Sequence, residues 1–140
     1  FAFRDVGKKI VGKFQEKFIT IGIYLIDAEL LKDPIDLIVA RSLAISVELN
    51  LGIKIIPIVN KLDLIDEGLL ELLYSEDSIR ERVSSMEEGE RMGLALDLLN
   101  LIGRYSAPVR IVGVSSKLGE GLEDAFEIIH ESLCSCGDMT

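Results

Sequence analysis

The residues best suited to chemistry are Asn60, Lys61 and Asp63, in the run Asn60-Lys61-Leu62-Asp63 that directly follows the apolar stretch Pro57-Ile58-Val59. An N-K-x-D spacing gathers an amide, an ammonium and a carboxylate within four residues, and in open α/β sheets ligands are met beyond the carboxyl ends of strands. A carboxylate at Asp63 can accept two hydrogen bonds, from the ring N–H and the exocyclic amine of guanine, whereas adenine has no such donor pair. Asn60 can donate to an acceptor on the purine edge and tie neighbouring loops together, while Lys61 can lay its aliphatic stem along the face of the base. The plainer alternative is a polar loop in which Asp63 caps the next helix; placement at a strand end favours the base-binding reading. A second polar loop, Ser115-Ser116-Lys117-Leu118-Gly119-Glu120-Gly121, follows the third apolar segment. Alone it reads as a turn with a helix cap.

Other polar residues carry less. Asp27 follows the first apolar segment, where it either caps a turn or lines the same crevice. His130, Cys134, Cys136 and Asp138 include zinc-type ligands, but the histidine falls on a helix and the thiols on the tail, so no metal site is expected. With one histidine in the chain, no Ser/His/Asp or Cys/His constellation is credible. A disulfide between Cys134 and Cys136 would close almost no loop, and a reducing cytoplasm is the expected compartment.

Three short segments rich in β-branched residues, 19–26, 53–59 and 109–114, have the two-sided apolarity of buried parallel strands. Helical stretches separate them, and that alternation implies an α/β sheet with right-handed crossovers. Asp33-Pro34 opens one helix as N-cap and first residue, and Gly52 ends it after Leu51. Its apolar residues go most of the way round, which suggests burial on two sides. Residues 66–105 read as a mostly helical acidic insertion with a solvated face, within a single domain spanning 1–140. A last helix, at about 120–133, is expected to place Leu122, Phe126, Ile129 and Leu133 on one face.

At 140 residues and 49% hydrophobic, the chain can bury a core of ordinary size. A net charge of −9 opposes direct binding to a nucleic-acid backbone. No apolar run reaches the roughly 18–20 residues that span a bilayer, so no membrane partner is expected. The start at Phe1-Ala2-Phe3-Arg4 has no signal-peptide zones and suggests a piece of something longer.

With these residues placed, nearly the whole chain resembles the C-terminal half of a GPN-loop GTPase of archaeal type. The resemblance rests on Leu25-Ile26-Asp27 with Leu30-Leu31-Lys32-Asp33-Pro34, the N-K-x-D after Pro57, Pro108-Val109-Arg110, the Gly119-to-Asp124 turn and the Cys134-Ser135-Cys136-Gly137-Asp138 tail. It implies a partial P-loop NTPase-type parallel sheet of three strands flanked by helices. It also implies a homodimeric, magnesium-dependent GTP hydrolase, with relatives linked to RNA polymerase assembly in eukaryotes. The guanine contacts it implies are Asn60, Lys61 and Asp63, with Ser115, Ser116 and Lys117 matching an S-A-K loop whose backbone amides meet the guanine O6. Ser116 stands where alanine is usual. The family's phosphate loop G-x-x-x-x-G-K-[ST], its Gly-Pro-Asn insertion and its Pro-Gly-Gln switch do not occur here, so no catalytic or magnesium-binding residue is carried over. Two rival readings are a non-catalytic assembly scaffold derived from the GTPase fold and an unrelated flavodoxin-like binding domain. By the family's strand order, the first strand would be a naked apolar edge; the all-round apolarity of the Pro34-to-Leu51 helix separately suggests that it meets another subunit as well as the sheet.

Overall fold

Parallel pairing of apolar segments builds the sheet: β1 (Ile21–Asp27), β2 (Lys54–Asn60) and β3 (Val112–Gly113) lie in that order. The computed structural model describes residues 2–87, 89–105 and 111–137. Strands β1 and β2 end one residue later than their side chains suggest, so Asp27 and Asn60 are the last paired residues and lie opposite each other. Pairing uses main-chain groups, which carry on after side-chain polarity changes. Only Val112 and Gly113 form β3; the expected start of that strand at 109–110 lies outside the described residues.

The two sheet faces are covered unequally. On one, α6 (Leu122–Gly137) packs Ala125, Ile128 and Ile129 on Ile56, Ile58, Val112 and Val114. Of the apolar residues expected on one face, Ile129 joins this contact, whereas Leu122 and Phe126 are 50% and 67% exposed. The small Ala125 sits against the sheet, and the bulkier residues of the neighbouring stripe point away; periodicity alone does not choose between adjacent stripes.

The other face carries α2 (Pro34–Leu51), with α3 (Glu67–Leu73), α4 (Glu76–Ser84) and α5 (Glu90–Tyr105) beyond it. Asp33 caps α2 by accepting from the Ile35 and Asp36 amides, and Asp36 accepts in return from the Asp33 amide. Gly52 ends α2 in the left-handed conformation that glycine adopts without strain (φ 67°). As its sequence suggested, α2 is buried widely: Leu37 and Ile38 face the same core as Val59, Leu72, Val83 and Leu99. Thus the helices between 67 and 105 share one core with the sheet.

The first helix, α1 (Asp5–Gln15), has no counterpart in the sequence reading. It lacks a side-chain N-cap, and lysines interrupt its apolar residues, so its start is poorly marked. Only Val11 and Gly7 are buried, with Val11 against Ala44, Ile53 and Ile55; Val6, Ile10 and Phe14 remain exposed. Among the described residues no strand pairs with the outer side of β1, and Ile23 and Leu25 are 52% and 62% exposed. No helix among the described residues is long and apolar enough to cross a membrane.

Candidate functional site

The parallel register brings the ends of β2 and β3 together and so fixes where their loops meet. Val114 continues the ladder beyond β3, its amide donating to the Val59 carbonyl at 2.7 Å. Its own carbonyl accepts the Leu62 amide at 3.0 Å, which ties the loop after β2 to the loop after β3. Between these anchors the backbone turns through Lys61 in the left-handed region (φ 62°, ψ 42°) and enters a 3₁₀ turn at Leu62–Leu64. The turn sets Asp63 at the surface rather than in a helix cap; Asp66 caps α3 by accepting from the Gly68 amide.

Side chains complete the join. Ser115, completely buried, donates its hydroxyl to Asp63 Oδ1 at 2.6 Å and accepts the Leu118 amide at 3.2 Å. The Ser116 hydroxyl donates to Asn60 Oδ1 at 2.6 Å, and the Ser116 amide reaches the same oxygen at 3.3 Å. Asn60 therefore turns its carbonyl toward the second loop and leaves its NH₂ outward, where it bonds to none of the described residues. In the 115–119 turn, the amides of Ser115 and Gly119 bond to the Glu120 and Ser115 carbonyls. The Lys117 amide has no such bond among the described residues; it lies in the turn that Ser115 joins to the exposed Asp63 carboxylate.

The charges are set for neutral pH. Hydrogen bonding from Ser115 is the main influence holding the Asp63 carboxyl below its ordinary range, opposed by partial desolvation and helped by Lys117 and Lys61. The Lys61 ammonium lies 2.7 Å from Asp27 Oδ2 and 2.5 Å from Glu29 Oε2, and both contacts raise its pKa beyond the ordinary lysine range. Asp27 is correspondingly lowered, first by Lys61 and then by the Glu29 amide. For the two aspartates the favourable interactions are present above the ordinary carboxylate range and lost only as pH falls through their lowered values. For Lys61 they are present below the ordinary lysine range and lost only as pH rises above it.

Asn60, Lys61, Asp63, Ser115, Ser116 and Lys117 thus lie on two adjoining loops, joined by three side-chain hydrogen bonds. Asp27 caps the next turn, its Oδ1 accepting the Glu29 amide, and its Oδ2 also accepts from Lys61 Nζ. Glu29, the second partner of Lys61, carries no signal in the sequence, because an acidic residue in a turn is ordinary surface. His130 and Cys134 approach within 3.7 Å on α6, but no group of three possible metal ligands occurs among the described residues. The side chain of Cys136, and Asp138, lie outside them.

Comparison with known proteins bears on the family and the fold. A family model described as a conserved hypothetical ATP-binding protein matches residues 1–135. The chain is 31% identical over 143 residues to the GPN-loop GTPase PAB0955 of Pyrococcus abyssi, covering all of this chain and 56% of that protein. The crystal structure of PAB0955, described as a GTPase in apo form, superposes with a TM-score of 0.80 at 27% identity, over 96% of this chain and 54% of that one. The chain spans about half the length of the relative it matches. A family match over nearly every residue, a relative of that sequence identity and a shared sheet with its flanking helices lead to one assignment: the chain belongs to the GPN-loop GTPase family.

Proposed function

We propose that this chain is the guanine-recognising half of a GTP-hydrolysing protein. The observation that carries the reading is the exposed, ionised Asp63 carboxylate, fixed through one oxygen by buried Ser115 of the second loop, whose Lys117 amide has no hydrogen-bond partner among the described residues. A purine in that crevice would present its ring N–H and exocyclic amine to Asp63 and its O6 to the Lys117 amide. The outward NH₂ of Asn60 would meet an acceptor on the purine edge, and the stem of Lys61 would cover one face. Ser116 takes part as a brace: its hydroxyl holds Asn60, a bond that alanine would lack.

The family model is described by ATP and the relative by GTP. The acceptor at Asp63 favours guanine, because adenine has a bare ring nitrogen and a C–H where guanine offers two donors. Titration with fluorescent GDP, GTP and ATP tests this on the 140-residue chain and on the intact protein. The intact protein should prefer guanine nucleotides and the chain alone should bind weakly, since phosphates supply much of the affinity. Equal affinity for ATP in the intact protein would reject the reading. The phosphates and a magnesium ion are assigned to residues other than these, because no G-x-x-x-x-G-K-[ST] run occurs here. Hydrolysis, a cytoplasmic location and service to a protein-assembly partner belong to the same proposal.

Homodimerisation also belongs to it, with α2 as the contact. Val39 and Leu43, one turn apart on α2, are 45% and 44% exposed beside its buried face. With the open side of β1 and exposed Ile23 and Leu25 added, the isolated chain should sediment as more than a monomer at micromolar concentration. Val39→Glu with Leu43→Glu should lower the sedimenting mass; an unchanged mass rejects α2 as the contact, and a wild-type monomer rejects both surfaces.

A further inference from the structure

Lys61 is the single non-glycine residue with positive φ among the described residues. A left-handed lysine is unfavourable for an L-residue and persists only where its surroundings fix it. Here its side chain is fixed at the far end as well. The ammonium reaches from the end of β2 to two carboxylates at the end of β1, Asp27 and Glu29. Asp27 is itself fixed, because its second oxygen accepts the Glu29 amide at 3.0 Å and its Cα is the ladder partner of Asn60. The stem of Lys61 is therefore stretched away from the Ser115 loop, across the carboxyl ends of β1 and β2.

We infer that Asp27 and Glu29 are positioning residues that hold Lys61 extended, so that its stem forms a ready-made wall for the base. The inference rests on the guanine reading of Asp63 and adds two residues to it. A free lysine would lose its rotamer freedom on binding, and prior tethering removes that loss from the binding step. A role in stability is a poor explanation for the cluster. All three side chains are 38–54% exposed, and ion pairs at that exposure contribute little to folding.

Asp27→Asn with Glu29→Gln separates the roles, since an asparagine oxygen can still accept the Glu29 amide while the charges that hold Lys61 are gone. In the full-length protein this double variant should weaken fluorescent GDP by about 10-fold, with melting temperature little changed. Introduced on a Lys61→Met background, the same pair should lower affinity by no more than about 2-fold further, because the carboxylates act through the lysine. Asp27→Glu, which restores a charge, should recover part of the loss. Unchanged or tighter GDP binding in the double variant overturns the inference, the latter by making the carboxylates a lock that keeps Lys61 off the base. A loss undiminished without Lys61 overturns it as well. Failure of the wild-type protein to bind GDP removes the guanine reading itself, whereas wild-type binding with additive losses removes only the role of Asp27 and Glu29.

Discussion

Asp63→Asn should lower GDP affinity by roughly 10- to 100-fold and raise affinity for xanthosine diphosphate. Ser115 determines why the exchange is so damaging. Its hydroxyl already accepts the Leu118 amide and spends its one proton on Asp63 Oδ1. An asparagine at 63 must keep its oxygen toward that proton and turn its NH₂ outward. Guanine would then present its exocyclic amine to another donor. Xanthine has a carbonyl in place of that amine, which can accept from the new NH₂. Folding should be little affected, since Asp63 is exposed and its partner Ser115 keeps an acceptor. Competition titrations of GDP against the xanthine nucleotide provide the check, and unchanged preference for GDP would rule out Asp63 as the base reader. For wild type, the lowered pKa of Asp63 makes affinity independent of this group from neutral pH down to the ordinary carboxylate range.

The placement of Asn60 to Asp63 was legible because an apolar strand followed at once by amide, ammonium and carboxylate is a local pattern. The strand sets the direction and the next three residues set the chemistry. What joined those residues to the second loop was not local. That Ser115 rather than Ser116 would bond Asp63, and Ser116 would bond Asn60, depends on the β2 to β3 register and on the Val114 carbonyl accepting the Leu62 amide. Glu29 gave no signal because its partner is 32 residues away. Helix α2 was marked at both ends by Asp33-Pro34 and Gly52, whereas α1 starts after Arg4 with no side-chain cap. The packed face of α6 was not legible for a related reason: two adjacent apolar stripes were present, and the sheet chose the one containing alanine.

Gly121→Ala should destabilise the protein by about 2–5 kcal/mol and lower the melting temperature by roughly 10 °C, with guanine affinity falling in parallel. Gly121 adopts φ 72°, and a methyl group on it would overlap the Gly113 carbonyl oxygen and crowd Val114 Cα. Neither neighbour can withdraw, because Gly113 is paired with Val59 and Val114 holds both the Val59 carbonyl and the Leu62 amide. The turn must therefore move instead, pulling Glu120 from the Ser115 amide and with it the hydroxyl that fixes Asp63. Gly119→Ala is the matched control. It has nearly the same left-handed backbone (φ 76°) but meets no atom within 4 Å, so it should cost only about 1–2 kcal/mol of conformational strain. Calorimetry and GDP titration of the two variants separate the contributions. Equal losses would mean that backbone strain alone governs this turn, and that close approach of Gly121 to β3 does not hold the base-reading loop in place.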